Sequence, residues 1–293
     1  MSFKSSSIKL LTWMVRPGVV ASCMAFFFRR LLRVFPIRRK TVARNLEIAL
    51  PDKTPEERKL ILRGTYDHLV WLGIEFAILQ RDPRQALEWM KVENPDALDD
   101  SVGGILLACH VGNWELAAAW FAQSGHRMTA IVRESSDSGE RDAIATMRSV
   151  AGVDCLPKTA PMTRALSALR RNEFLAIMPD QHGGADGVVA PLFGINTPTS
   201  KGAAVFAYLT KKPLIPVYTR RVSPFSHVMR FGEPVEWEGA GDRDETIYAI
   251  TLAINKAIER IIRETPDQWL AQHRRFRELD GGGLRGKGQG NVR

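Results

Sequence analysis

The stretch Ala108-Cys109-His110-Val111-Gly112-Asn113-Trp114-Glu115 sets an imidazole and a carboxylate five positions apart, directly after the apolar run Ile105 to Ala108. Inside one helix such a spacing separates two side chains by about 140° around the axis. They can meet only if His110 closes a strand, Val111 to Asn113 turn, and Glu115 opens a helix. Gly112 and Asn113 suit that turn, and a carboxylate in a first helical turn is favoured by the helix dipole. Glu115 would then hold one ring nitrogen of His110, leaving the other to take a proton from a hydroxyl. That is general-base chemistry with no protein nucleophile. No GxSxG, HExxH or CxxC occurs in the chain, and Cys109 points away from His110 if both lie on a strand, which makes it a small buried hydrophobe. Spacing alone also fits a helix-capping glutamate beside an incidental histidine.

The elements needed to position this pair are legible as alternation. Apolar runs at 103–109, 128–134, 153–157, 173–180 and 213–222 read as strands, with 227–237 as a further one. Helical patterns at 114–125, 139–152, 163–172 and 200–212 separate them, and a long helical region closes the series at 243–270. Apolar strands alternating with helices imply an α/β fold, a mostly parallel sheet covered by helices. The two strands near the end suggest an antiparallel edge. Ahead of the sheet, residues 38–50 and 54–79 form two helices around a Pro-Asp turn, the second opened by Thr54, Pro55, Glu56 and Glu57 in a capping pattern.

The 293 residues carry 41 Lys+Arg against 32 Asp+Glu, a net charge of +9. Such an excess calls for an anionic partner. No nucleic-acid-binding motif accompanies it, so a phosphate-bearing lipid surface is the better match. The three cysteines are far apart and form no disulfide framework. Apolar residues from Val19 to Phe28 lie between Arg16-Pro17 and Arg29, Arg30 and Arg33. The run is shorter than the roughly twenty residues a full span needs, and reads as a helix lying in or dipping into a membrane, its arginines on lipid phosphates. The stretch Val20 to Cys23 also resembles a lipoprotein cleavage site, but its most apolar residues follow the cysteine rather than precede it. Three regions result: 1–36 as a membrane-associated helix, 37–280 as the main domain, and 281–293 as a disordered basic tail. The tail's GxxxxGK pattern, Gly281 to Lys287, ends in Gly288 rather than Ser or Thr, so no phosphate loop is expected.

The block "CHVGNWE" resembles the H-x4-D/E motif of glycerolipid acyltransferases. With "RRKTVARNLEIALPDKTPEER", "AIVRESSD", "AIMPDQHGGADGVVAPLFG" and "DQWLAQHRRFR" in order, the chain from Arg38 to Arg277 is similar to the lipid A biosynthesis acyltransferases of lauroyl or myristoyl type. That resemblance implies transfer of a fatty acyl chain from acyl carrier protein, or acyl-coenzyme A, to a glycolipid hydroxyl at the cytoplasmic face of the inner membrane. It implies His110 as base and Glu115 as its partner. Arg133, Asn113, Asp180, Gln181, Arg274 and Arg275 become substrate-binding residues, Arg133 near acceptor phosphate or the oxyanion, with His273 in the same basic block as Arg274. The implied partners are acyl carrier protein, a lipid A precursor or other glycolipid, and membrane lipids, with no nucleic acid. The donor is a co-substrate, and neither cofactor nor metal is expected; Asp180 and His182 are too sparse a pair for a metal. Glu134 replaces a frequent proline after Arg133, and Leu192-Phe193 a paired phenylalanine. A thioester hydrolase, an acyltransferase for another lipid, and a lipid-binding protein without activity are the rival readings.

Overall fold

A computed structural model describes residues 17–133, 138–239 and 241–279. The basic tail at 281–293 and the start of the amino-terminal region therefore lie outside the described residues.

Three helices precede the sheet: α1 (Val19–Val34), α2 (Arg39–Ala49) and α3 (Pro55–Leu79). Helix α3 starts as its sequence demands. The Thr54 side chain accepts from the Glu57 amide, and the Glu57 carboxylate accepts from the Thr54 amide, so two otherwise orphaned donors are satisfied at once. Helix α4 (Gln85–Trp89) and strand β1 (Met90–Glu93) follow, then β2 (Gly104–Ala108), α5 (Trp114–Ser124), β3 (Met128–Val132), α6 (Ser138–Ala151), β4 (Asp154–Pro157), α7 (Met162–Arg170) and β5 (Phe174–Ile177). A hairpin of β6 (Val188–Leu192) and β7 (Ile195–Thr199) leads to α8 (Gly202–Thr210), β8 (Leu214–Ser223), β9 (Ser226–Phe231) and α9 (Arg243–Glu264).

The main sheet has the order β1-β9-β8-β2-β5-β3-β4. Its pairs are parallel except β8 with β9. The α/β class and mostly parallel sheet follow from the alternation, but the antiparallel pair does not form the edge. Strand β1, too short and too polar to stand out in sequence, pairs parallel with β9 and covers it. The β6–β7 hairpin was equally hidden, because Pro191 and Pro198 obscure its alternation.

Strand alternation splits the core into two layers. Ile105, Leu107, Leu175, Ile177 and Leu214 face α2, α8 and α9, whereas Leu106, Phe174, Ile215 and Val217 face α3, α5 and α1. Helix α1 buries only Ala21 and Ala25. Phe26, Phe27, Val34 and Phe35 are each more than 60% exposed, a large unpartnered apolar face. No helix of the described residues is long and apolar enough to cross a membrane. Arg29 turns inward, pairing with Asp67 at 3.5 Å and lying over Trp71, so of the three arginines after the run it is bound to α3 rather than free for lipid.

Candidate functional site

His110 lies just past β2, at the carboxyl end of the parallel strands where open α/β sheets place their ligands. Its peptide group is fixed by the carboxy-terminal segment: Leu270 donates to the His110 carbonyl at 2.8 Å, and Gly112 donates to the Gln268 carbonyl at 3.0 Å. Gly112 has φ +64°, and a Cβ there would fall 2.0 Å from the Thr219 carbonyl oxygen. Only glycine lets the turn pass this close to β8.

The carboxylate that meets the imidazole is Asp180, not Glu115. His110 Nδ1 lies 2.9 Å from Asp180 Oδ1, and the His110 amide donates to Oδ2 at 3.1 Å. Because a carboxylate only accepts, Nδ1 carries the proton and Nε2 keeps its lone pair. The Gln181 side-chain amide sits 3.3 Å from Nε2. Trp114 packs edge-on against the ring with centroids 4.9 Å apart. Asp180 is 1% exposed at its side chain and His110 19%, so the imidazole reaches solvent while its partner does not. Burial alone would raise the Asp180 carboxyl, but the charge and hydrogen bonds of His110, with a bond from Trp269, lower its pKa.

Glu115 does open α5, as its spacing implies, but it points elsewhere. Arg148 of α6 grips it with two bonds, Nη2 to Oε1 at 2.6 Å and Nε to Oε2 at 3.0 Å, and Trp114 Nε1 donates to Oε1 at 3.1 Å. Burial disfavours the Arg148 charge, yet Glu115 raises its pKa above the usual value. Arg148 was not singled out in sequence because it lies in an ordinary amphipathic helix, 33 residues from its partner.

The remaining expected residues divide. Gln181 faces the free nitrogen of His110. Arg133 is exposed at the carboxyl end of β3, the same end of the sheet as His110. Arg274 is exposed too. Asn113 and Arg275 are not available to substrate. Asn113 is fully buried, its Oδ1 capping α5 at the Leu116 amide (2.9 Å) and its Nδ2 donating to Glu75. Arg275 is also fully buried and donates to Thr197 Oγ1, Thr199 Oγ1 and the Pro198 carbonyl, fastening the β6–β7 hairpin to the carboxy-terminal segment. Burial lowers its pKa to about 10, so it stays charged at neutral pH. His273 Nε2 accepts from the His182 amide at 3.2 Å, and burial lowers its pKa to about 4. His182 is paired with Glu278. Among the described residues no group of three or more His, Cys, Asp or Glu side chains is arranged to hold a metal.

Beneath α5, starting at Cys109, Val111 and Trp114, an apolar cavity of about 70 Å³ runs along the sheet. Its floor includes Ala130 and Ala176, neighbours in one transverse row, and its far end is formed by Leu106, Phe121 and Met128. Glu115 and Arg148 are its polar rim.

Behind the turn, burial lowers the His68 pKa to about 3, helped by the charge of Arg221. A histidine held neutral on folding has a definite sign in linkage: the unfolded chain takes up the proton first. Stability is therefore full above pH ~6.5 and is lost as pH falls from there towards the folded value, about 2 kcal/mol of it by pH 5. His273 acts in the same direction. The lowered carboxyls of Asp180 and Glu75 hold their contribution until pH falls below ~4. Urea midpoints at pH 7 and pH 5 should differ accordingly, and equal midpoints would contradict the neutral, buried state of His68.

Residues 8–278 match the sequence profile of the family described as Bacterial lipid A biosynthesis acyltransferase. The lipid A biosynthesis palmitoleoyltransferase of Escherichia coli K12 is 25% identical over 286 residues, covering 92% of this chain and 88% of that one. The lipid A biosynthesis lauroyltransferase of the same organism is 24% identical, covering 84% and 81%. A phosphatidylinositol mannoside acyltransferase of Mycolicibacterium smegmatis is 27% identical across 42% of this chain and 41% of its own. Among solved structures, the 1-acyl-sn-glycerophosphate acyltransferase of Thermotoga maritima aligns with a TM-score of 0.38 at 13% identity, covering 79% of this chain and 97% of that one.

Proposed function

The chain belongs to the bacterial lipid A biosynthesis acyltransferase family, and we propose that it carries a lauroyl- or myristoyl-class acyl group from acyl carrier protein to a hydroxyl of a lipid A precursor. Acyl transfer to a lipid A-like or glycolipid acceptor is the activity of the family; the donor, chain class and catalytic roles are our reading.

One observation carries it: a partly exposed imidazole whose Nδ1–H is tied to a buried aspartate and whose Nε2 faces the Gln181 amide, one residue from Cys109 and Val111, where an apolar slot begins. In the proposed reaction the acceptor hydroxyl gives its proton to His110 Nε2 as its oxygen bonds to the thioester carbonyl carbon. Asp180 stabilises the imidazolium so formed. The Gln181 amide is placed to donate to the negative oxygen of the tetrahedral intermediate. Collapse breaks the carbon–sulfur bond, and the departing thiolate takes the proton back from His110, so base and proton are restored. Arg133 and Arg274, both exposed, are the cations we assign to phosphates of the acceptor. Acyl-coenzyme A could replace acyl carrier protein without altering any of these steps.

We place the enzyme at the cytoplasmic face of the inner membrane. The apolar face of α1, with Phe26 and Phe27 foremost and Arg30 and Arg33 beside them, suits shallow insertion among anionic lipids.

The test supplies labelled dodecanoyl acyl carrier protein and a lipid A precursor in anionic vesicles. Label should move to the precursor, and the protein should float with the vesicles. Label released as free fatty acid would instead identify a hydrolase, and transfer only to a different glycolipid would correct the acceptor.

A further inference from the structure

Behind the His110 turn lies a charged cluster that the proposed chemistry does not use. Glu75 of α3 has no exposed surface, yet it receives five hydrogen bonds. Its Oε2 accepts from Asn113 Nδ2 at 2.9 Å and Arg221 Nη2 at 2.8 Å. Its Oε1 accepts from Arg221 Nε and His227 Nε2, both at 3.0 Å, and from the Phe225 amide at 3.3 Å. Two helical turns earlier on α3, His68 donates from Nε2 to the Gly112 carbonyl at 3.1 Å. That bond leaves His68 Nδ1 as an acceptor, and Arg221 Nη1 donates to it. Helix α3 thus grips the catalytic turn at two consecutive residues.

We propose that Glu75 is a positioning residue for acyl transfer: through Asn113 it fixes the turn, and with it the height at which His110 stands over the slot. The inference rests on His110 being the base. Neither Glu75 nor Arg221 contacts the imidazole or the slot among the described residues, so any effect on chemistry passes through the turn. The direct link is a single side chain, and a longer route runs through Arg221 and His68 to the Gly112 carbonyl. The Asn113 amide donates to Glu75 with its nitrogen, while its oxygen caps α5 at Leu116. The same residue's backbone amide donates to Thr219 Oγ1 at 2.7 Å.

A buried ion cluster is a poor way to gain stability, because well-packed apolar side chains often serve as well or better. What it offers is a fixed geometry. Here the bonds from α3, β8 and α5 converge on the one turn that carries the base. An error of about 1 Å in such a placement can lower a rate by on the order of 10²-fold.

Asn113→Ser separates this role from general stability. Serine retains an N-cap acceptor but has no amide to give Glu75, and the Glu75–Arg221–His227 core stays whole. With folding confirmed by circular dichroism, kcat should fall by roughly 10- to 100-fold, with KM for dodecanoyl acyl carrier protein and for a lipid A precursor within about twofold of wild type. Glu75→Gln should give a similar split, and the double variant should be no slower than the slower single variant, since Glu75→Gln already weakens the link that Asn113→Ser removes. If Glu75→Gln fails to fold, Asn113→Ser decides alone. Unchanged kcat in folded Asn113→Ser, or a loss confined to KM, overturns the proposal. His110→Ala is run beside them: an active His110→Ala overturns the general base and this inference together, whereas an inactive one with normal Asn113→Ser overturns the positioning role only.

Discussion

Asp180→Asn should lower kcat by on the order of 10²- to 10⁴-fold, the range a general base contributes, in a protein that still folds. Asparagine has the same shape, but it bears no charge to stabilise the imidazolium, and its amide can donate as well as accept. His110 could then place its remaining proton on Nε2, the nitrogen that must be bare. Loss of a charged partner in the same geometric role elsewhere costs most of the rate through the wrong tautomer. His110→Ala should be at least as severe. Steady-state turnover of folded Asp180→Asn, together with nitrogen NMR of the imidazole, checks both halves: kcat falls and the Nδ1–H form is depleted. A variant within a few-fold of wild type would show that Asp180 does not brace the base.

The same reasoning separates Asp180 from Glu115. If Glu115 held the imidazole, its neutral analogue would share the Asp180→Asn signature. In the structure Glu115 neutralises Arg148 instead, so removing its charge leaves a largely buried guanidinium unpaired. The consequence then falls on the rim of the slot and on stability, with the tautomer of His110 intact.

Why the sequence pointed to His110 but paired it with Glu115 rather than Asp180 has a physical answer. His110 is announced locally, by an apolar strand, a glycine that the turn requires and an asparagine that caps the next helix; all of these act within a few residues. Asp180 lies 70 residues away, and its approach depends on β2 and β5 being neighbours. Alternation implies a parallel sheet but does not order it. The resemblance brought Asp180 and Gln181 forward as substrate ligands, yet only the strand order places them on the imidazole. Arg275 fails in the opposite way: beside Arg274 in a basic block it is expected to bind substrate, and nothing local reveals that Thr197 and Thr199 enclose it. The two hidden pairings, β1 with β9 and β6 with β7, share a cause. Short strands with polar or proline positions take their stability from partners distant in sequence, so their own residues carry little signal. The blocks "RRKTVARNLEIAL" and "DQWLAQHRRFR", which the resemblance brought forward, meet in the fold: Asn45 donates to the carbonyls of Ala271 and His273, so α2 supports the segment that fixes the His110 carbonyl.

Ala130→Leu should shorten the acyl chain this enzyme prefers. The slot under α5 begins at Cys109, Val111 and Trp114 and stops at Leu106, Phe121 and Met128, and Ala130 sits in its floor beside Ala176. At about 70 Å³ it is smaller than the ~150 Å³ cavity that accommodates a benzene ring. A chain of the proposed length therefore needs the far end to yield as it enters, and small floor residues are what leave it a path. Leucine adds three carbons to that path and displaces about three methylenes of substrate. Each buried methylene is worth about 0.8 kcal/mol, so the preference for a fourteen-carbon over a ten-carbon donor should change by about fifty-fold in kcat/KM. Phe121→Leu, which opens the far end, should move the preference towards longer chains. Competition between decanoyl and tetradecanoyl acyl carrier protein, read by mass spectrometry of the acylated product, measures both shifts. Overpacking a core site costs roughly 1–3 kcal/mol of stability, so the comparison is of ratios within one folded variant, where a change in active fraction cancels. An unaltered ratio in Ala130→Leu would mean that the hydrocarbon lies elsewhere, and the site would then need its acyl slot sought on the other face of the sheet.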